Sequence, residues 1–298
     1  LSEALTKYLE AGKIAAQLKD EAAKIVAVGV PLLEVCERLE HRTIELGGRP
    51  AFPVNVGVNE VTAHYTSPAQ DPHTIPENSI VKVDLGVHLE GYIADTAVTF
   101  TFSPEYQDLV LSAEEALQRA TEAIKPGVKV SEIGAVVERS ITRLGYRPIR
   151  NLMGHRIERY SLHTGKSIPN VSGIRGGRIE EGEVYAVEPF STLRRAAGVV
   201  RDSAETYIFR YNREKRLRSV DAAALLDYVR QEHRFLPFAS RWLGSRSSVS
   251  SFDQAFSELV QERCIIPYRV LVEASGRPVS QAEHTVIVEK DGCRVITQ

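Results

Sequence analysis

Cysteine is scarce: three residues, Cys36, Cys264 and Cys293, in a chain of 298. They are far apart and odd in number, so they support neither a disulfide framework nor a thiolate zinc site. A reducing, cytoplasmic setting is the expectation. Long apolar runs are also missing. The longest, Ile25 to Leu33, is too short to span a bilayer and contains Gly29 and Pro31. The opening LSEALTKYLEAGK has no apolar core after a basic start, which argues against a signal peptide. An excess of either charge is lacking too, with Lys+Arg 37 against Asp+Glu 39. Neither a basic nucleic-acid binder nor an acidic disordered tail fits the chain as a whole.

What is present is an ordinary globular balance, 43% hydrophobic and 26% charged, enough to bury a large core. At about 150 residues per domain the length suggests two domains. Apolar residues at helical spacing predict a helix over 3–26 and another over 31–46, stopped by Gly47-Gly48. Short strands are expected near 51–66. The alternating, β-branched stretch 79–102 reads as a β-hairpin. Ser103-Pro104 starts a helix that Lys125-Pro126-Gly127 stops, and a further helix covers 130–144.

An internal repeat organises these elements. Shifted by 98 residues, VGVPLLEVCERLEHRTIELGGRP (28–50) lies on PGVKVSEIGAVVERSITRLGYRP (126–148) without a gap. Identical pairs include Gly29/Gly127, Glu40/Glu138, Gly47/Gly145 and Pro50/Pro148. Similarity resumes at slightly different offsets. IPENSIVKVD (75–84) matches IEEGEVYAVE (179–188), and IADTAV (93–98) matches QAEHTV (281–286). Asp84 thus falls opposite Glu188 and Asp95 opposite Glu283, each pair expected at matching strand positions. Two halves packed about a pseudo-twofold would bring four carboxylates together. The second half is interrupted over 204–266 by helical patterns near 219–231 and 252–263 and by the Ser-rich, flexible-looking GSRSSVSS (244–251). This reads as an inserted helical subdomain whose mixed charges form a solvated face.

The hairpin gives a first chemical clue. With Leu89-Glu90 as a two-residue turn, Asp84 and Asp95 become direct cross-strand neighbours among apolar residues. Two such anions repel and are poorly solvated, and either a shared proton or a cation would relieve them. Glu188 and Glu283 sit in equally apolar settings, where an unpaired carboxylate is costly. With His155, His163 and His64 nearby in the motifs, the set favours a metal site. Carboxylates with an imidazole suit Mn, Co, Fe or Zn. Four carboxylates exceed the charge of one divalent ion, so two ions sharing bridging carboxylates fit better. Such a pair can hold a bridging hydroxide, a nucleophile for hydrolysis.

The order Asp84, Asp95, His155, Glu188, Glu283 resembles the five-ligand set of the methionine aminopeptidases. The matching motifs are VDLGVHLEGYIADTAVTF, GHRIERYSLHTGKSIP, YAVEPF and QAEHTV. The resemblance covers essentially the whole chain. GHRIERYSLHTGKSIP and the insertion with FASRWL are similar to the type 2, archaeal-like branch. It implies an α+β pita-bread fold of two related halves spanning 1–203 and 267–298, with 204–266 inserted. It implies that Asp95 and Glu283 bridge two divalent ions, Asp84 completing one and His155 with Glu188 the other. His64 and His163 would contact the scissile peptide and stabilise the tetrahedral intermediate. Glu188 would also move protons, and Phe52 and Leu162 would help line the methionine pocket. The implied reaction is removal of the N-terminal methionine of nascent proteins, favouring a small second residue. The implied partners are nascent N-termini and a transient ribosome contact, with no membrane, no specific nucleic acid and a monomeric state.

Two features depart from that pattern: the Arg-rich STLRRAAGVVRD after Glu188, and Arg269 where proline is common. Both are expected to bear on the entrance or on the substrate's second residue. Two other readings compete. A dipeptidase of this fold cleaving before proline would carry an extra N-terminal domain, for which the repeat starting near residue 28 leaves only one helix. A non-catalytic binding module would have lost ligands that this chain retains.

Overall fold

A computed structural model describes residues 2–244 and 251–298. Most of the stretch expected to be flexible, 245–250, lies outside the described residues. Helix α1 (Glu3–Ile25) begins where Ser2 Oγ accepts the Leu5 N–H at 3.3 Å, and it buries Ala11, Ala15, Leu18 and Ala22 along one stripe. Helix α2 (Leu32–Glu45) leads into β1 (Arg49–Val58) and β2 (Val61–Ala63). The hairpin β3 (Ile80–Leu89) and β4 (Tyr92–Thr101) joins β1 in a three-stranded sheet ordered β1-β3-β4, with α1 packed across it.

The second half repeats the plan. Helices α3 (Gln107–Ala123) and α4 (Val130–Arg143) precede β5 (Arg147–Pro148), β6 (Met153–Glu158), β7 (Ser161–Pro169), β8 (Val184–Val187) and β9 (Phe190–Thr192). A shift of 98 carries α2 onto α4 residue for residue, and the pairing around them repeats as well. Gly29 N–H donates to Ile75 O at 2.8 Å, and Gly127 N–H donates to Ile179 O at 2.8 Å. Gly29 and Gly127 share φ near +85°, a conformation open to glycine at little cost (84° and 87°). Even the paired glutamates do the same work: Glu40 accepts from Val54 N–H and Glu138 from Ser172 N–H.

The excursion from the second half starts later than residue 204. Strand β10 (Val200–Tyr211) passes through that position because it is paired along its length with β12 (Ile265–Glu273). Between them lie α5 (Val220–Glu232), β11 (Phe238–Ala239), α6 (Ser240–Gly244) and α7 (Phe252–Gln261), around an apolar cluster that includes Leu225, Phe238, Leu243 and Leu259. Buried Glu40 on α2 anchors this insertion by pairing with Arg241 and accepting from Trp242 Nε1 at 2.8 Å. Strands β13 (Val279–Gln281), β14 (His284–Glu289) and β15 (Gly292–Val295) close the chain, β14 and β15 in the sheet β15-β14-β8-β6-β7.

Each half has its own apolar core, and the first extends across the seam through Ile157, Ala186 and Ile287. Threonines stitch that seam. Thr96 Oγ1 donates to Glu283 O (2.8 Å), Thr99 Oγ1 to Gln281 O (2.6 Å) and Thr285 Oγ1 to Asp95 O (2.8 Å). The C-terminus is also held closely by α1, since a Cβ on Gly12 would lie 2.2 Å from the Ile296 carbonyl oxygen. Gly12→Ala should therefore cost about 1–3 kcal/mol through overpacking. A urea unfolding midpoint equal to the parent's would refute that tight contact.

Candidate metal centre

The hairpin turns one residue later than expected. Glu90 and Gly91 are its central residues, with φ of +52° and +91°, as a type I′ turn requires. The register pairs Asp84 with Ala97 and Gly86 with Asp95, so the two aspartates are diagonal rather than directly opposed. The slip in pairing is two residues, which preserves the face, and both still line one cavity. Glu188 follows β8 directly, and Glu283 sits between β13 and β14. Neither is inside a strand, because each is where its strand breaks to aim a side chain inward. Glu283 is fixed at that break by its N–H donating to Ala97 O at 3.2 Å.

That cavity, about 180 Å³, is lined by Asp84, Asp95, His155, Glu188 and Glu283 together with His64, His163, Phe52 and Leu162. Ligand atoms of Asp95, His155 and Glu283 all lie within 4.8 Å of one another. His155 Nε2 is 3.4 Å from Glu188 Oε1 and 3.6 Å from Asp95 Oδ2. Asp95 and Glu283 are 3% and 2% exposed, so their charges are cut off from water.

The electrostatics follow from that crowding. Burial pushes the Asp84 carboxyl up to about 7. Burial, then the charge of Asp84, raises Asp95, and burial followed by the Asp95 charge raises Glu188 and Glu283. Burial and then the adjacent His163 lower His155, keeping its imidazole neutral and its lone pair free to ligate. Asp84 Oδ1 and Asp95 Oδ1 are buried without a hydrogen-bond partner. Hard oxygen donors, one neutral imidazole and orphaned carboxylate oxygens fit a cation better than they fit one another.

Other side chains set the donors' positions. Gln281 Nε2 donates to Asp84 Oδ2 (3.2 Å) and Glu283 Oε2 (3.1 Å), spanning both halves. Asn55 faces Asp84 across β1 and β3, and Asn170 Nδ2 donates to Glu188 O at 3.2 Å. Sequence reasoning passed over all three. A buried asparagine in apolar PVNVG and a glutamine two residues before Glu283, hence on its strand face, were the available signals.

The rim holds a row of rings. His155 and His163 are 4.2 Å apart between centroids, and Tyr268 lies 5.3 Å from His64 and 6.5 Å from His163. His64 has φ +62°, a strained value for histidine. Its Nδ1–H donates to Arg269 O at 3.2 Å, which leaves Nε2 as the acceptor of a neutral ring. Arg269 therefore acts on the site through its backbone. Arg194, by contrast, lines a different concavity.

Buried carboxylates and an imidazole at the seam of a duplicated pita-bread core, opening on apolar walls, define a metal-dependent peptidase. Metallopeptidase family M24 matches residues 6–235. A methionine aminopeptidase of Methanothermobacter thermautotrophicus is 48% identical over 297 residues, 99% of each chain. Among solved structures, a thermophilic Arx1 superposes with a TM-score of 0.85 at 19% identity, over 99% of this chain and 91% of that one. The methionine aminopeptidase of Thermotoga maritima gives 0.71 at 21% identity, over 100% and 98%. These two structures speak to the fold alone. The chain belongs to metallopeptidase family M24, in its methionine aminopeptidase branch.

Proposed function

We propose that this protein removes the N-terminal methionine of nascent proteins and peptides by hydrolysis, favouring a small second residue. The observation that carries the reading is the convergence of four carboxylates and His155 on one small apolar-walled cavity. Two divalent ions of the Mn, Co, Fe or Zn kind would be held there by Asp84, Asp95, His155, Glu188 and Glu283. When bound, they supply Lewis acidity and an activated water at neutral pH.

The chain's own residues do the rest. A cavity near 180 Å³ is slightly larger than the roughly 150 Å³ hole that takes up benzene, so it suits one side chain. Phe52, Leu162, Ile208 and Pro237 offer apolar walls to an unbranched thioether. The α-amine of a free N-terminus, once neutral, offers a lone pair to the ions that these acids would hold, which limits cleavage to the first residue. His64 presents the Nε2 lone pair to accept the scissile peptide N–H, and His163, which stands beside it, is placed to donate to the carbonyl oxygen and steady its charge. Glu188, at the edge of the donor group, is placed to pass a proton to the leaving amine.

Incubation of Met-Ala-Ser and Met-Leu-Ser peptides with the Mn- or Co-loaded enzyme tests this. Free methionine should appear far faster from the first. No release with any divalent metal would refute the reading, and faster cleavage of Xaa-Pro dipeptides would replace it with the dipeptidase. Gln281→Leu, which frees Asp84 and Glu283 to swing, should weaken metal binding about 10–100-fold in a chelator competition titration. Unchanged affinity would deny Gln281 its positioning role.

The same reading places the enzyme in the cytoplasm as a monomer making transient contact with the ribosome. Residues 204–266 remain an inserted subdomain in it, with the excursion proper narrowed to 212–264. Among the described residues no helix is long and apolar enough to cross a membrane.

A further inference from the structure

A second concavity, about 620 Å³, lies beside the end of α4 and the stretch after β9. Arg143, Arg147, Arg150 and Arg194 line it together with Tyr146. Its one acid, Glu138, is engaged by the Ser172 N–H at 2.9 Å. Arg143 reaches Glu115, but among the described residues no carboxylate lies within ion-pair distance of Arg147, Arg150 or Arg194. The frame is firm. Ala196 N–H donates to Leu193 O (2.9 Å), closing the turn that carries Arg194 and Arg195. Arg147 Nη1 donates to Ala196 O (2.6 Å), Gly198 N–H to Glu273 Oε1 (3.0 Å) and Arg150 N–H to Gly198 O (3.0 Å). Residues 139–201 hold 12 Lys+Arg against 5 Asp+Glu, whereas the whole chain has 37 against 39. Four of those cations, Arg143, Arg147, Arg150 and Arg194, line the groove.

We propose that this groove binds the phosphodiester backbone of RNA without reading its sequence. Four arginines and no lysine line it, and a guanidinium fork matches two phosphate oxygens at once. Tyr146, half-buried, brings an aromatic ring to the wall of the groove, where an unpaired base could meet it. None of these residues lines the catalytic cavity, so RNA binding and peptidase activity vary independently.

Fluorescence anisotropy with a labelled oligouridylate, on the full-length metal-loaded protein at low and moderate salt, tests the proposal. The parent should bind with an affinity that falls steeply with salt. The double charge reversal Arg150→Glu/Arg194→Glu should weaken binding at least about tenfold and flatten the salt dependence. Both side chains are exposed, so methionine release from Met-Ala-Ser should stay at the parental rate, which reports a retained fold. Arg38→Glu, a single charge reversal at an exposed position of α2, should leave RNA binding intact. Absence of binding by the parent, undiminished binding by the double variant, or tighter binding of polyglutamate than of oligouridylate would each overturn it.

Discussion

Asp95→Asn should reduce methionine release at least about a thousandfold, roughly 4 kcal/mol of transition-state stabilisation, and should strip metal from the purified protein. Asp95 touches the site from its centre. Its carboxylate shares the 4.8 Å donor group with His155 and Glu283, and its Oδ1 has no other partner. The amide keeps the shape and removes the charge. Loss of activity alone could also come from misfolding, and the same crowding separates the two causes. In the metal-free state Asp95 is one of four mutually repelling acids, so its neutralisation should leave the metal-free variant at least as heat-stable as the metal-free parent at pH 8. Parental activity or parental metal content in the variant would remove Asp95 from the site. A metal-free variant that melts well below the metal-free parent would show a structural role instead.

Chelation of the metal should lower the melting temperature on the order of 10 °C at pH 8 and much less near pH 5.5. Ions at a thousandfold excess over their dissociation constant contribute about 4 kcal/mol to the folded state. For a chain of this size each kcal/mol is worth roughly 2–4 °C. The pH dependence comes from the acids. Their carboxyls are raised in the fold, Asp84 to about 7 and the other three upward as well. A raised acid contributes its full stability below its unfolded value, near 4, and loses it as pH climbs through the folded value. Without metal, the fold is therefore weakened between mildly acidic and mildly alkaline pH. With metal, cations replace the protons and are bound more tightly as pH rises. The difference between loaded and chelated protein at each pH cancels titrations elsewhere. A difference that is constant or larger at pH 5.5 would contradict the role of these carboxylates.

How far the chain could be read without coordinates depends on the range of each interaction. Helix α2 and its copy α4 were legible to within a residue or two, because apolar spacing, Gly47 and Gly145 act over a single turn. The acids stood out because a carboxylate amid Val, Leu and Ala is costly to bury without a partner. The hairpin register was less so. SIVKVDLGVHLEGYIADTAV admits Leu89-Glu90 or Glu90-Gly91 as the turn, and only the positive φ of both central residues selects the second. The departures resolved differently from one another. Arg269 enters the site by its carbonyl, which no side-chain pattern reports, and Arg194 faces another groove.

Order and identity of residues were thus enough for the repeated helix–strand plan, the family and five side chains that line one cavity, since each rests on local pattern or on motifs matched along the chain. The seam was decided only by the tertiary structure. Thr96, Thr99 and Gln281 act on partners roughly two hundred residues away: Thr96 on Glu283, Thr99 on Gln281, Gln281 on Asp84. Such contacts exist only where the two sheets pack together and leave buried polar groups that must find one another, and no periodicity along a single strand encodes them.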